Sequence, residues 1–318
     1  MKVRHLLLIG VLVMSGQTTF AQSGKNIAGV SHVYETDPGN HEESSFEYDA
    51  RGRMIHAKSI DYRVDGGYPE EDVWTTDYTY DDAAGTITSN TALSSGGATY
   101  TFVAVAKLTG GLITEITVDE YLSGYHFTEK LTMEYDASGR VVKSATTSDI
   151  HEYSESTIIW EDGNAIKTID VETDGDTNIQ YHIYDMTRPA PRNKQLAYML
   201  MGMPIDVSSC QMMMGMYEYM GYAPKNLVVG VKKERNGSIS KERNFVYEYD
   251  ADGDISRIEC YSDGTLTDTF VFGLSAAGVQ EIEMEKADAP FYTLQGYQTS
   301  APRKGSIIIR NGRKVVSK

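Results

Sequence analysis

The segment Tyr48-Asp49-Ala50-Arg51-Gly52-Arg53 returns as Tyr135-Asp136-Ala137-Ser138-Gly139-Arg140 and again as Tyr249-Asp250-Ala251-Asp252-Gly253-Asp254. Each copy separates two runs in which apolar and polar residues alternate. The spacing is that of a hairpin corner. Tyr48, Tyr135 or Tyr249 ends a strand, Asp49, Asp136 or Asp250 starts the turn, and Gly52, Gly139 or Gly253 supplies the positive φ that a tight reversal needs. The corner contains no reacting group, so its recurrence speaks for architecture and is silent on chemistry.

Away from the corners, alternation with a period of two dominates, as in strands with one buried face. Tyr125, Phe127, Leu131, Met133 and Tyr135 share an apolar face, opposite His126, Thr128, Lys130, Thr132 and Glu134. The same reading places Ile179, Tyr181 and Ile183 inward against a wet Gln180, His182 and Tyr184, and sets Ile282 and Met284 against Glu281, Glu283 and Glu285. Asp65-Gly66, Asp162-Gly163, Asp174-Gly175, Asn236-Gly237, Asp263-Gly264 and Asn311-Gly312 are pairs that accept the left-handed backbone of tight hairpins. Helical patterns long enough for parallel crossovers are missing from most of the chain, which argues against a doubly wound α/β fold.

One segment departs from this pattern. Across residues 188–225, prolines at 189, 191, 204 and 224 bracket two apolar runs without alternation, 195–203 and 206–220. Both read as helices, with Asp206 as a cap and Met212, Met216 and Met220 on one stripe. The expected fold is all-β: an antiparallel meander curved into a sheet, open or nearly closed, clasping a short helical insertion at 192–220. A membrane-spanning barrel is disfavoured because the outward set of Thr, Glu, Lys, Asp, Gln and His would be rejected by hydrocarbon.

The ends point to export. Lys2 and Arg4 precede an apolar run over 6–14, and Thr19-Phe20-Ala21 offers a cleavage point before Gln22, so residues 1–21 read as a secretory signal peptide. Its removal takes the net charge from −16 to −18. Arg303, Lys304, Arg310, Arg313, Lys314 and Lys318 are unopposed by acid within 289–318, so the body over 22–288 carries about −24. A body this acidic argues against nucleic acid and anionic membrane as partners and suits cations, neutral glycans or a basic protein. Two cysteines, Cys210 and Cys260, lie in segments read as helix and strand, and no spacing brings them into disulfide geometry.

Two resemblances accompany these residues. The Tyr-Asp-x-x-Gly-Arg corners, with the lengthened Tyr80-Asp81-Asp82-Ala83-Ala84-Gly85, resemble the YD repeats of RHS-type proteins. Such corners combined with the insertion, Gly221-Tyr222-Ala223-Pro224-Lys225-Asn226-Leu227 and Phe245-Val246-Tyr247-Glu248-Tyr249-Asp250 resemble an exported bacterial family with a porin-like β fold. This likeness spans most of 30–270 and implies a partly closed porin-like barrel, with no activity and no catalytic residue attached. Phe291-Tyr292-Thr293-Leu294-Gln295-Gly296, the Pro302-Arg303-Lys304-Gly305 turn and the basic end through Lys318 resemble the sorting segments of type IX secretion. That resemblance implies secretion machinery as a partner of residues 290–318.

Candidate chemistry is thin. Eight of the 14 methionines lie between Met199 and Met220. Met199, Met201, Met203, Met212, Met213 and Met216 are candidate thioether ligands for a soft cation such as Cu(I), against a plainer role as flexible packing between helix and sheet. Asp170, Glu172, Asp174, Gly175 and Asp176 imitate the front of a calcium loop but have Tyr181 where Glu belongs; Asp250, Asp252 and Asp254 read as turn formers. No G-x-S-x-G, H-E-x-x-H, Walker or C-x-x-C motif is present, and the histidines read singly as polar-face residues. The sequence therefore assigns no catalytic residue and no cofactor. It favours an exported non-enzymatic binding or scaffolding module at the cell envelope for a protein or glycan, ahead of a carbohydrate-active hydrolase or a Met-rich metal binder. The 22 tyrosines, against 8 Phe and 2 Trp, suit half-exposed strands and surfaces that stack on sugars.

Overall fold

A computed structural model describes residues 26–275 except 38, 66–67, 123–124, 150–152, 173–174 and 192–209, together with four short strands of the tail. The body is a meander of sixteen antiparallel strands. The first eight are β1 (Asn26–Tyr34), β2 (His41–Tyr48), β3 (Met54–Asp65), β4 (Tyr68–Asp81), β5 (Thr86–Ser95), β6 (Ala98–Thr109), β7 (Leu112–Leu122) and β8 (Tyr125–Tyr135). The rest are β9 (Val141–Ser148), β10 (Ser154–Glu161), β11 (Asn164–Glu172), β12 (Thr177–Pro189), β13 (Asn226–Arg235), β14 (Ser238–Tyr249), β15 (Ile255–Ser262) and β16 (Thr265–Ser275). Each strand pairs with its chain neighbours, and β1 pairs with β16 from Asn26↔Ser275 to Tyr34↔Asp268. The sheet therefore closes fully into a barrel and has no free edge.

Turns from even to odd strands gather at one end, here the corner end. Three of them share one hydrogen-bond pattern. Asp49, Asp136 and Asp250 each accept, on Oδ1, the backbone N–H groups two and four residues on, at 2.8–3.0 Å. Gly52, Gly139 and Gly253 stand at φ of 80°, 76° and 82°. Arg53 and Arg140 close the first two corners by donating Nε to the same aspartate at 2.8 Å, whereas Asp254 has nothing to donate.

A second regularity lies just inside this end. The hydroxyls of Tyr48, Tyr80 and Tyr184 donate to the carbonyls of Ile27, Met54 and Ala165, each at 2.8 Å. Tyr135 and Tyr247 donate likewise to Ile113 and Val228, and Trp160 Nε1 donates to Val141 at 2.7 Å. In each case an aromatic residue in the corner-end half of an even strand ties it to the start of the preceding odd strand. The third corner differs: Tyr247 makes this bond, while the Tyr249 ring is exposed beneath the Arg188 guanidinium.

The insertion enters from the corner end between β12 and β13. Its described part, Cys210–Tyr219, is a 3-10 helix and not the α-helix expected over 206–220; the run 195–203 lies outside the described residues. With three residues per turn, positions i and i+3 share a face, so Met213 is sealed together with Met216; Met220 of the expected four-residue stripe is sealed too, and the Met212 side chain lies outside the described residues. Met213, Met216, Tyr217, Met220 and Tyr222 join Tyr48, Tyr78, Ile113, Leu131 and Val141 in the core. Contact is close: a Cβ at Gly215 would stand 2.9 Å from the Tyr78 ring, and one at Gly221, whose φ is +64°, 2.5 Å from the Gly139 carbonyl. The insertion's exit is stapled by buried amides, Asn164 Nδ2 donating to Asn226 Oδ1 at 3.0 Å and Asn226 N to Asn164 Oδ1 at 2.9 Å.

The outer wall is charged. Glu115 meets Lys107 and Lys130 at 2.6 Å, Lys143 meets Glu155 at 2.8 Å, and Lys232 meets Glu242 at 3.3 Å. The tail forms a separate sheet of β17 (Phe291–Thr293), β18 (Gln298–Thr299), β19 (Ile307–Arg310) and β20 (Arg313–Val316), in the order β18-β17-β19-β20. Strand β19 lies against β1.

Candidate ligand-binding interior

At the end away from the corners the inner wall turns polar. Strand β4 shows the gradient: Tyr80 and Tyr78 face the insertion, followed along the same inward row by Thr76, Trp74 and Asp72. Ser59, Ser89, Thr91, Ser144, Ser156 and Thr168 are likewise buried inward. This inverts the expectation for β12. Gln180 and His182 are buried and face in, while Ile183 is exposed on the outside. Alternation identified the two faces correctly, but a barrel with a polar interior exchanges their roles.

Charge on this inner wall is arranged against pairing rules. Cross-strand neighbours on one face stand about 5 Å apart at Cβ, and like charges there destabilise a sheet. On one side of the β1–β16 seam, Glu42 on β2 faces Asp61 on β3, which faces Asp72 on β4. On the other side, Lys233 on β13 faces Lys241 on β14, with Arg243 two residues further on the same face. The adjacent outward pair in that ladder, Lys232 and Glu242, is complementary.

The acidic row carries its own cations. His32 Nε2 lies 3.0 Å from Asp268 Oδ1, and its Nδ1 lies 3.9 Å from Glu42 Oε2. Burial works against the imidazolium, yet hydrogen bonds to Asp268 and Glu42 raise the His32 pKa above its ordinary 6.5. Burial likewise opposes ionisation of Glu42 and Asp268, but bonds from His32, with Ser59 or Thr267, hold both below the carboxylate range. Asp61 moves the other way, raised by burial and by Glu42, although Arg63 Nε lies 3.2 Å away. Arg63 also pairs with Asp72. The ring of His32 stacks on Phe270 at 4.1 Å, which fixes it at the seam.

His182 has the opposite character. Burial, reinforced by nearby Lys233, pushes it down to about 4, so it is neutral and meets Thr168 Oγ1 at 3.4 Å. Neither His32 nor His182 sits on a wet face, as the sequence had suggested for every histidine.

The sequence-level candidates distribute as follows. Met199, Met201 and Met203 lie outside the described residues, Met212 is on the 3-10 helix, and Met213 and Met216 are sealed in the core. Asp176 pairs with Arg235 at 2.6 Å, Asp170 faces inward on β11, and Asp174 lies outside the described residues. Among the described residues no group of three or more His, Cys, Asp or Glu is arranged to hold a metal ion. Cys260 is a free, buried thiol, pushed up to about 12 by burial. The signal segment and residues 276–290 lie outside the described residues.

The fold has solved counterparts. A porin-like protein from Bacteroides uniformis is similar with a TM-score of 0.51 at 14% identity, covering 79% of this chain and 99% of its own. A porin-like protein from Bacteroides vulgatus is similar at 14% identity with a TM-score of 0.44, over 79% of this chain and 99% of its own. No family model matches the chain, and no curated protein matches it. This chain has a porin-like all-β fold. At this identity the likeness bears on architecture alone, and the polar interior has to be read from its own residues.

Proposed function

We propose that the protein is an exported, non-enzymatic β-barrel of the cell envelope that stays on the aqueous side of the membrane and holds a ligand in the polar half of its interior. The observation that carries this reading is the inner wall itself, where like charges are set face to face above an insertion that stops the corner end. Ion pairs such as Lys130–Glu115 on the outer wall stand where a spanning barrel needs an apolar belt, and each lysine there would cost about 2–4 kcal/mol at the bilayer midplane, each carboxylate less. Residues 1–21 supply the export signal, and the basic tail, residues 289–318, supplies a recognition segment for secretion machinery.

The test pairs two measurements. The purified mature chain remains in the aqueous fraction when floated with phosphatidylethanolamine/phosphatidylglycerol vesicles, and glycans or peptides that raise its thermal midpoint lose that effect in Ser154→Trp, which narrows the polar end. Co-flotation with the vesicles, or ligand effects untouched by the tryptophan, would overturn the proposal.

One observation favours a carbohydrate hydrolase as the second reading. Glu42 and Asp61 face each other with pKa values displaced in opposite directions, as a general acid and its partner carboxylate are. Release of reducing sugar that disappears in both Glu42→Gln and Asp61→Asn would establish it.

A further inference from the structure

The acidic row and the cationic row differ in how they are neutralised. His32 and Arg63 are built into the acidic row and contact Glu42, Asp268, Asp61 and Asp72. In the cationic row Lys233 has partners of its own, whereas Lys241 and Arg243 form no ion pair among the described residues. Asp170 on β11 acts on Lys233 from one side, and Asp268 on β16 feels Arg243 from the other. The outer pair one residue away, Lys232 with Glu242, shows that the ladder accommodates a complementary pair at this height.

Lys233 pairs in register with the inward-facing Gln180 and is nonetheless accessible to solvent. Burial, Arg243 and Lys241 all lower its pKa, so the site favours whatever brings negative charge to it. Arg243 Nε is buried without a hydrogen-bond partner, on a guanidinium whose fork matches planar oxyanions. Next to it, in register, stands Ser262, whose hydroxyl sits on the same inward face.

We propose that Lys233, Lys241 and Arg243 form the docking site for an oxyanion group, a carboxylate, sulfate or phosphate, carried by the ligand of the barrel interior. This rests on the reading that the interior holds a ligand, and it names that ligand's chemistry. The acidity of the body had suggested cations, neutral glycans or a basic protein as partners; the inner wall at β13–β14 reverses that sign locally. Two ammonium groups facing each other supply charge, and the guanidinium supplies direction. A hydrated anion that displaces repulsion between them gains more than it would at isolated lysines.

The experiment uses the full mature chain and three probes: inorganic phosphate, glucuronate, and glucose as the neutral counterpart of glucuronate. Isothermal titration at low salt is expected to show phosphate and glucuronate binding at a single site and no heat from glucose. Binding of phosphate alone assigns the site to free or esterified phosphate, and binding of glucuronate assigns it to acidic sugars. K241E is expected to weaken anion binding at least tenfold and, without anion, to raise the thermal midpoint, since it places a complementary pair at a like-charged position. K232M, on the outer wall, is expected to leave binding unchanged and controls for lost charge.

Anion binding equal in K241E and the wild type, or binding of neither anion to the wild type, would overturn the proposal. If the anions fail while a neutral ligand still responds to Ser154→Trp, the interior remains a binding site and only its anionic character is lost. If all ligands are indifferent to Ser154→Trp, the broader reading falls first.

Discussion

The two ends of the barrel are built on opposite rules. At the corner end, aromatic hydroxyls reach neighbouring carbonyls, aspartates cap their own turns, and Met213, Met216 and Met220 are packed without exposure. At the polar end the same sheet faces carboxylate to carboxylate and ammonium to ammonium across its ladders. One end maximises cohesion and the other forgoes it. A wall that retains repulsive pairs one residue from complementary ones is shaped by what it meets.

The contrast breaks most readily at the corner end. Gly221→Ala puts a methyl group 2.5 Å from the Gly139 carbonyl on a backbone at φ +64°, and a cost of about 4 kcal/mol is expected in urea unfolding. A loss under 1 kcal/mol would mean that the insertion is not clamped there.

Protonation sharpens the comparison at the polar end. His182 is less basic in the fold than in the unfolded chain, so the fold loses stability as pH falls from 6.5 toward about 4. His182→Gln is therefore expected to gain on the wild type by on the order of 2 kcal/mol between pH 7.5 and 4.5. Equal acid sensitivity in the two proteins would show that this ring is hydrated.

His32 behaves in the reverse sense. Its raised pKa contributes stability in full below 6.5, and that contribution fades as pH rises through the folded value. Glu42 and Asp268, which are lowered, contribute above 4.5 and 3.8 and lose their effect in acid. His32→Asn is expected to cost about 2 kcal/mol at pH 5.5 and less at pH 8.5, measured by urea midpoints at each pH. The smallest effect expected is for Tyr247→Phe, about 1 kcal/mol for one hydroxyl bond to Val228, with no change in ligand response.

The corners were readable because their information is local: Asp49 and Gly52 act within five residues, and period two carried the alternation. Which face points inward was harder. The pattern over 179–184 shows two faces, but apolar-inside is a rule for dry cores, and Gln180 and His182 line a polar one. The charged rows were out of reach because they need register. Lys233 and Lys241 sit across a bulged hairpin, and Glu42 meets Asp61 only once β2 and β3 are aligned. The ties from Tyr48, Tyr80, Tyr135, Trp160, Tyr184 and Tyr247 did leave a signal, an aromatic residue toward the corner end of six of the eight even strands, which the Tyr-Asp motif captured only in part.

Closure by β1 and β16 also has a kinetic consequence. Hairpins along the meander join residues a few positions apart, but His32 and Asp268 are separated by 236 positions, so that join gains least from local loop closure. Until it forms, both terminal strands offer open backbone to other chains. The slowest step of maturation, and the one most exposed to aggregation, is expected to be the final zipping of first strand to last.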